Sequence, residues 1–127
     1  MGTVGVRYIV DDVDAAITFY TGHLGFVLEA HPAPPFAILR RGDLRLMLSG
    51  MTGPGGGAQA MPDGARPQPG GWNRIQLQVD DLATEHAALQ AANVRLRSDV
   101  ITGIGGKQLL VEDPAGNLVE LFEARRD

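Results

Sequence analysis

The stretch VRYIVDDVDAAITFY, residues 6–20, has a second copy in NRIQLQVDDLATEHAAL, residues 73–89. Setting Val10-Asp11-Asp12-Val13 on Val79-Asp80-Asp81-Leu82 aligns a strand, a double aspartate and a helix in each half. In the second copy Ile75, Leu77 and Val79 alternate with Arg74, Gln76 and Gln78, and period two marks a strand with one apolar and one polar face. In the first copy Val6, Tyr8 and Val10 alternate with Gly5, Arg7 and Ile9. Asp12 and Asp81 stand where an N-cap accepts N–H bonds from the first helical turn. Ala16, Phe19 and Tyr20 make one helical stripe, and Leu82, His86 and Leu89 another. Gly25 and Asn93 fall where a left-handed residue closes a helix.

Outward from these copies each half reads as βαβββ. Strands are expected near 4–10, 26–30, 36–40 and 44–49, with a helix at 13–22. In the second half they are expected near 73–79, 94–98, 107–112 and 118–123, with a helix at 82–91. The fold class is therefore α+β, with tandem βαβββ modules at 1–50 and 72–127 in one domain spanning 1–127. Residues 51–71 join them, and their Gly and Pro density forbids regular structure. That connection is longer than a tight turn needs, which suits a linker or a partly ordered lid. GIGG at 103–106 lacks the spacing of a phosphate loop and suits a hairpin turn.

Composition bounds the rest. The 127 residues suit one domain. A formal net charge of −4 argues against a nucleic-acid partner, which calls for a basic stripe. No cysteine is present, so disulfides and thiolate metal sites are excluded. No basic-then-apolar leader is visible, and no apolar run approaches the roughly 20 residues of a spanning helix, so a cytoplasmic protein without a membrane partner is expected.

With VDDVDAAITFYTGHLGF in the first half and DPAGNLVEL near the end, the chain resembles the vicinal oxygen chelate superfamily of glyoxalases, extradiol dioxygenases, and fosfomycin- and bleomycin-resistance proteins. The resemblance covers nearly the whole chain outside the linker, and it is nearest to the metal-free, bleomycin-resistance-like members. It implies two modules forming an open, barrel-like cleft, and a homodimer with the cleft built between subunits. In metal-dependent members the ligands come from the first and last strands of each module. Carried onto this chain, those positions fall on Gly5, Arg74, Glu120 and, through an alignment of Gly42 with Gly116, Leu46. Glycine and leucine offer no donor and arginine is a fixed cation, so no metal and no cofactor are expected. Shifting the register by one residue brings in Val4, Val6, Asn73, Ile75, Arg45 or Met47, none a usual ligand of the family.

Alternation gives the cleft a different lining. Arg7, Ile9, Arg74, Gln76, Gln78, Leu118, Glu120 and Phe122 are expected on it, with Leu44, Leu46 and Leu48 from the fourth strand. Glu120, a carboxylate inside an apolar strand, needs a partner, and Arg74 is the first candidate. Trp72 and Phe36 are candidate stacking surfaces, or anchors for the segments they end. His23 and His86 read as structural or surface residues, whereas His31 could reach the cleft rim.

Two kinds of function stay open. One is a binding protein that sequesters an apolar or aromatic small molecule, an antibiotic or other natural product, on Arg7, Ile9, Phe36, Leu46, Leu48, Trp72, Arg74, Gln76, Glu120 and Phe122, with no catalytic residue. The other is a glyoxalase- or dioxygenase-like enzyme with an atypical site in which Glu120 is the catalytic group. His or Glu at positions 5 and 74 would have favoured the enzyme, and neither is present.

Overall fold

Asp12 accepts the Ala15 N–H at 3.0 Å and starts α1, Val13–His23. The helix ends where Leu24 and Phe26 donate back to the Tyr20 carbonyl around Gly25, whose φ of 72° suits glycine. The second copy repeats the device. Asp81 accepts the Thr84 amide and hydroxyl at the start of α2, Leu82–Ala91, and Asn93 closes it at φ 58°. The Thr84 hydroxyl, then its amide, hold the Asp81 carboxyl below its ordinary value.

The computed structural model describes residues 4–52, 57 and 59–126. These fall in two compact units, with the division between Pro69 and Gly70. In the first, β1 (Val4–Val10) runs parallel to β4 (Leu44–Gly50), and β3 (Phe36–Arg41) and β2 (Val27–Ala33) complete a sheet of order β1-β4-β3-β2. In the second, β5 (Ile75–Gln78) runs parallel to β8 (Leu118–Ala124), followed by β7 (Gly106–Glu112) and β6 (Ile101–Thr102), in the order β5-β8-β7-β6. Each unit is thus a βαβββ module of the expected α+β class. Among the described residues no helix is long and apolar enough to cross a membrane.

Each helix buries its stripe on one face of its own sheet. Ala16, Phe19 and Tyr20 are buried in α1, and Tyr20 stands edge-on to Phe19 and Phe26. Ala37, Leu39, Leu46 and Leu48 are completely buried on β3 and β4, against which α1 packs. Leu82 and Leu89 of α2 are buried likewise, with Leu77, Leu109, Val111, Val119 and Leu121 in that unit's core.

Two expectations on elements need correction. Residues 94–98 do not form a strand: they touch β7 through one isolated bridge, Leu96 to Val111. The Ser98 hydroxyl accepts the Leu110 N–H at 3.1 Å, so a side chain takes the place of a ladder carbonyl. The fourth strand of that sheet is instead Ile101–Thr102, turned into β7 by the expected hairpin, where Gly103 donates to the Gly106 carbonyl at 2.8 Å. β5 is also shorter than expected, beginning at Ile75.

Candidate functional site

In the second unit the turn DPAGN sets the geometry. Asp113 is fully buried, and its Oδ1 accepts the amides of Ala115 and Asn117 at 3.0 and 2.8 Å. Its own N–H donates to the Asn117 carbonyl at 2.9 Å, and Gly116 takes the left-handed φ of 90° that the turn requires. The turn locks β7 to β8 with Glu112 opposite Leu118, which puts Glu120 opposite Leu110 and, across β5, beside Gln76. Val119 and Leu121 face the core, so Glu120 lies on the face turned away from α2.

Glu120 is 7% exposed and accepts three N–H bonds from its neighbours. Arg74 Nε and Nη2 both donate to its Oε1, at 3.0 and 2.9 Å, and Gln76 Nε2 donates to Oε2 at 2.6 Å. The expected pairing with Arg74 is present, although the guanidinium converges on one oxygen and leaves the other to Gln76. A carboxylate acting as a general base must present an oxygen to substrate, and a metal ligand must present a lone pair. Here three N–H groups are directed at those atoms. Phe122 lies two residues along the same face, opposite Gln78 and Gln108. Trp72 is 62% exposed, with the Arg97 guanidinium 4.9 Å from its ring centroid.

In the first unit Arg7 and Ile9 keep the expected face, but the register turns the opposite parity of β4 to that face. Arg7 pairs with Met47 and Ile9 with Ser49, whereas Leu46 and Leu48 pair with Val6 and Tyr8. Leu46 and Leu48 are therefore core residues on the face that holds α1, with no exposure, and Leu44 shares their parity. The face away from α1 is made by Arg7, Ile9, Phe36, Ile38, Met47 and Ser49 instead. Aligning the halves through Gly42 and Gly116 was one residue out. The β3–β4 connection is the pair Gly42-Asp43, the β7–β8 connection is the five-residue Asp113 turn, and strand pairing makes Met47 the counterpart of Glu120.

Arg7 Nη1 donates to the Ser49 hydroxyl at 2.7 Å, and its guanidinium carbon stands 5.9 Å from the centre of the Phe36 ring. Gly57, from the connecting segment, lies directly on this guanidinium, and a Cβ there would collide with Arg7 Nη1. Sequence reasoning missed Met47, Ser49 and Ile38. The run LRLMLSG alternates, with Leu44, Leu46 and Leu48 on one parity and Arg45, Met47 and Ser49 on the other, and the miss lay in assigning the leucine parity to the cleft instead of the core.

The metal of the family's chelating members does not fit these residues. By pairing, the four positions hold Gly5, Met47, Arg74 and Glu120: one absent side chain, one thioether, one cation and one carboxylate already accepting three N–H bonds. Among the described residues no group of three or more His, Cys, Asp or Glu side chains could hold a metal ion. His31 is exposed on β2, and His23 rests edge-on to Phe19. A separate cavity of about 860 Å³ lies on the helix side of the second unit, lined by His86, Lys107, Glu123 and Arg125 among others, and includes none of the expected ligand residues.

Residues 3–121 match the model of the Glyoxalase/Bleomycin resistance protein/Dioxygenase superfamily, and the chain belongs to that superfamily. Solved structures similar to it include TnmS3, an antibiotic binding protein from Streptomyces sp. CB03234, with a TM-score of 0.74, 24% identity, and coverage of 98% of this chain and 97% of that one. TioX from Micromonospora sp. ML1 has a TM-score of 0.77 at 19% identity, covering 98% and 100%. Lactoylglutathione lyase from Agrobacterium tumefaciens has a TM-score of 0.72 at 22% identity, covering 96% and 92%. At such identities the likeness is one of fold. A comparison with curated protein sequences gives no match.

Proposed function

We propose that this protein binds and sequesters a small apolar or aromatic molecule, an antibiotic or related natural product, without a metal and without turning it over. The observation that carries this is Glu120. The carboxylate best placed for chemistry is held by Arg74 and Gln76, and the other three residues at positions equivalent to the family's ligands are Gly5, Met47 and Arg74. Each unit offers groups that suit recognition: on the second, Gln76 and Arg74 are polar and Phe122 and the exposed Trp72 aromatic, and on the first, Phe36 and Ile9 are apolar. The likeness to an antibiotic binding protein supports the same reading. Arg7 belongs to this set; Leu46 and Leu48 do not. In this reading the protein acts in the cytoplasm, and as a homodimer, which the family resemblance implies.

The likeness to lactoylglutathione lyase favours a second reading, an enzyme that uses Glu120 at an atypical site. One experiment separates the two. Tag-free protein is incubated with nickel, manganese, zinc and iron, dialysed, and assayed for metal content. The binding reading expects none retained. About one equivalent per chain, lost on Glu120→Ala, would establish the enzyme reading instead. A thermal-shift screen of aromatic natural products on the same sample is expected to give hits that Trp72→Ala weakens about tenfold without loss of fold.

A further inference from the structure

The face of the first sheet turned away from α1 carries more positive than negative charge. Arg45 pairs with Gly5 on one side and Arg40 on the other, Arg7 lies one step along β1, and Glu29 is the carboxylate that meets this group. Glu29 reaches the face at a register shift in β2 between Leu28 and Ala30. It serves Arg40 first, with Oε2 accepting from Arg40 Nε at 2.9 Å. Arg45 Nε is 3.8 Å from the other oxygen, too far for a hydrogen bond, and this buried N–H has no partner among the described residues. Arg7 donates to the neutral Ser49 and faces the Phe36 ring. Residues 1–3, 53–56 and 58 of this unit, outside the description, include no Asp or Glu and so supply no further countercharge. Between the two under-compensated arginines lies an apolar floor of Met47, Ile38 and Phe36 on neighbouring strands.

We propose that this face selects an anionic ligand, a flat aromatic molecule bearing a carboxylate, sulfonate or phenolate. Its rings rest on Met47, Ile38 and Phe36, its charged group meets Arg45, and Arg7 adds a second positive charge. An arginine that shares its one carboxylate with a neighbouring arginine, beside an apolar surface, is the arrangement that planar organic acids complement. The inference deepens the binding function proposed above and rests on it.

The test uses a matched pair of probes on the full chain: 8-anilinonaphthalene-1-sulfonate and N-phenyl-1-naphthylamine, the same ring system without the sulfonate. Fluorescence titration of the unaltered protein is expected to show the sulfonate bound about tenfold more tightly than the neutral amine. Arg45→Gln and Arg7→Gln are expected to shrink that preference at least about threefold each, with the neutral amine moved less than about twofold, whereas Arg45→Lys keeps most of it. Circular dichroism confirms that each variant is folded. A preference that survives in both Gln variants, or is absent from the start while the neutral amine binds saturably, overturns the inference and leaves the binding function standing. Failure of both probes to bind overturns the two together. Sedimentation of the same samples reads the remaining occupant: an apparent mass that falls on Arg45→Gln, with no change in probe preference, assigns the arginines to a contact with a second copy and overturns the proposal.

Discussion

Glu120 explains how a carboxylate persists inside an apolar strand. Two N–H groups of Arg74 and one of Gln76 replace the water it loses. The first half meets the corresponding positions with opposite chemistry. Where Arg74 stands there is Gly5, where Glu120 stands there is Met47, and the Met47 methyl lies 3.0 Å from where a Gly5 Cβ would be. One copy fills its site with an ion pair, the other with a thioether laid over a glycine. An ion pair of this kind is expected to behave as a unit. Arg74→Met strands Glu120 and should destabilise by about 2 kcal/mol, less than a fully buried pair would lose, because the Arg74 side chain keeps 28% exposure. Adding Glu120→Leu should recover most of that loss in a urea titration. A double variant as unstable as the sum of its parts would show that the two residues do not act together.

β4 shows what pairing adds to pattern. Its leucines alternate with Arg45, Met47 and Ser49, and its partners β1 and β3 decide which of the two parities faces the core. Leu46→Ala is expected to cost about 3 kcal/mol as a core cavity, and Met47→Ala about 1 kcal/mol or less. Equal losses, measured by chemical denaturation, would contradict the register. The double aspartates, both helix ends and the hairpin at Gly103–Gly106 were legible in the sequence because each is a local device with its own residue signature. The Arg74–Glu120 contact was legible because β5 alternates cleanly. For Leu46 and Leu48 the alternation with Arg45, Met47 and Ser49 was legible, but which parity meets the helix was fixed only by pairing with β1. The bridge at Leu96 and the role of Ser98 were not legible, because each depends on a neighbouring strand that the local sequence does not contain.

Seen entire, the chain uses one plan twice, with the first and last strands of each unit paired in parallel, and varies the chemistry on it. The homodimer proposed above makes its thermal stability depend on mass action. Dilution by about a hundredfold is expected to lower the apparent Tm by a few degrees in scanning calorimetry, and an unchanged Tm would indicate a monomer. The buried Asp113 turn has a consequence for how such a chain can change in length. Between residues 51 and 71 there is neither strand nor α-helix among the described residues, and an insertion or deletion there shifts no register. Within the five residues from Asp113 to Asn117 the same event changes the phase of β8. Losing a single residue would carry Glu120 into the core and bring Val119 out in its place, exchanging the two faces of that strand with every side chain unaltered.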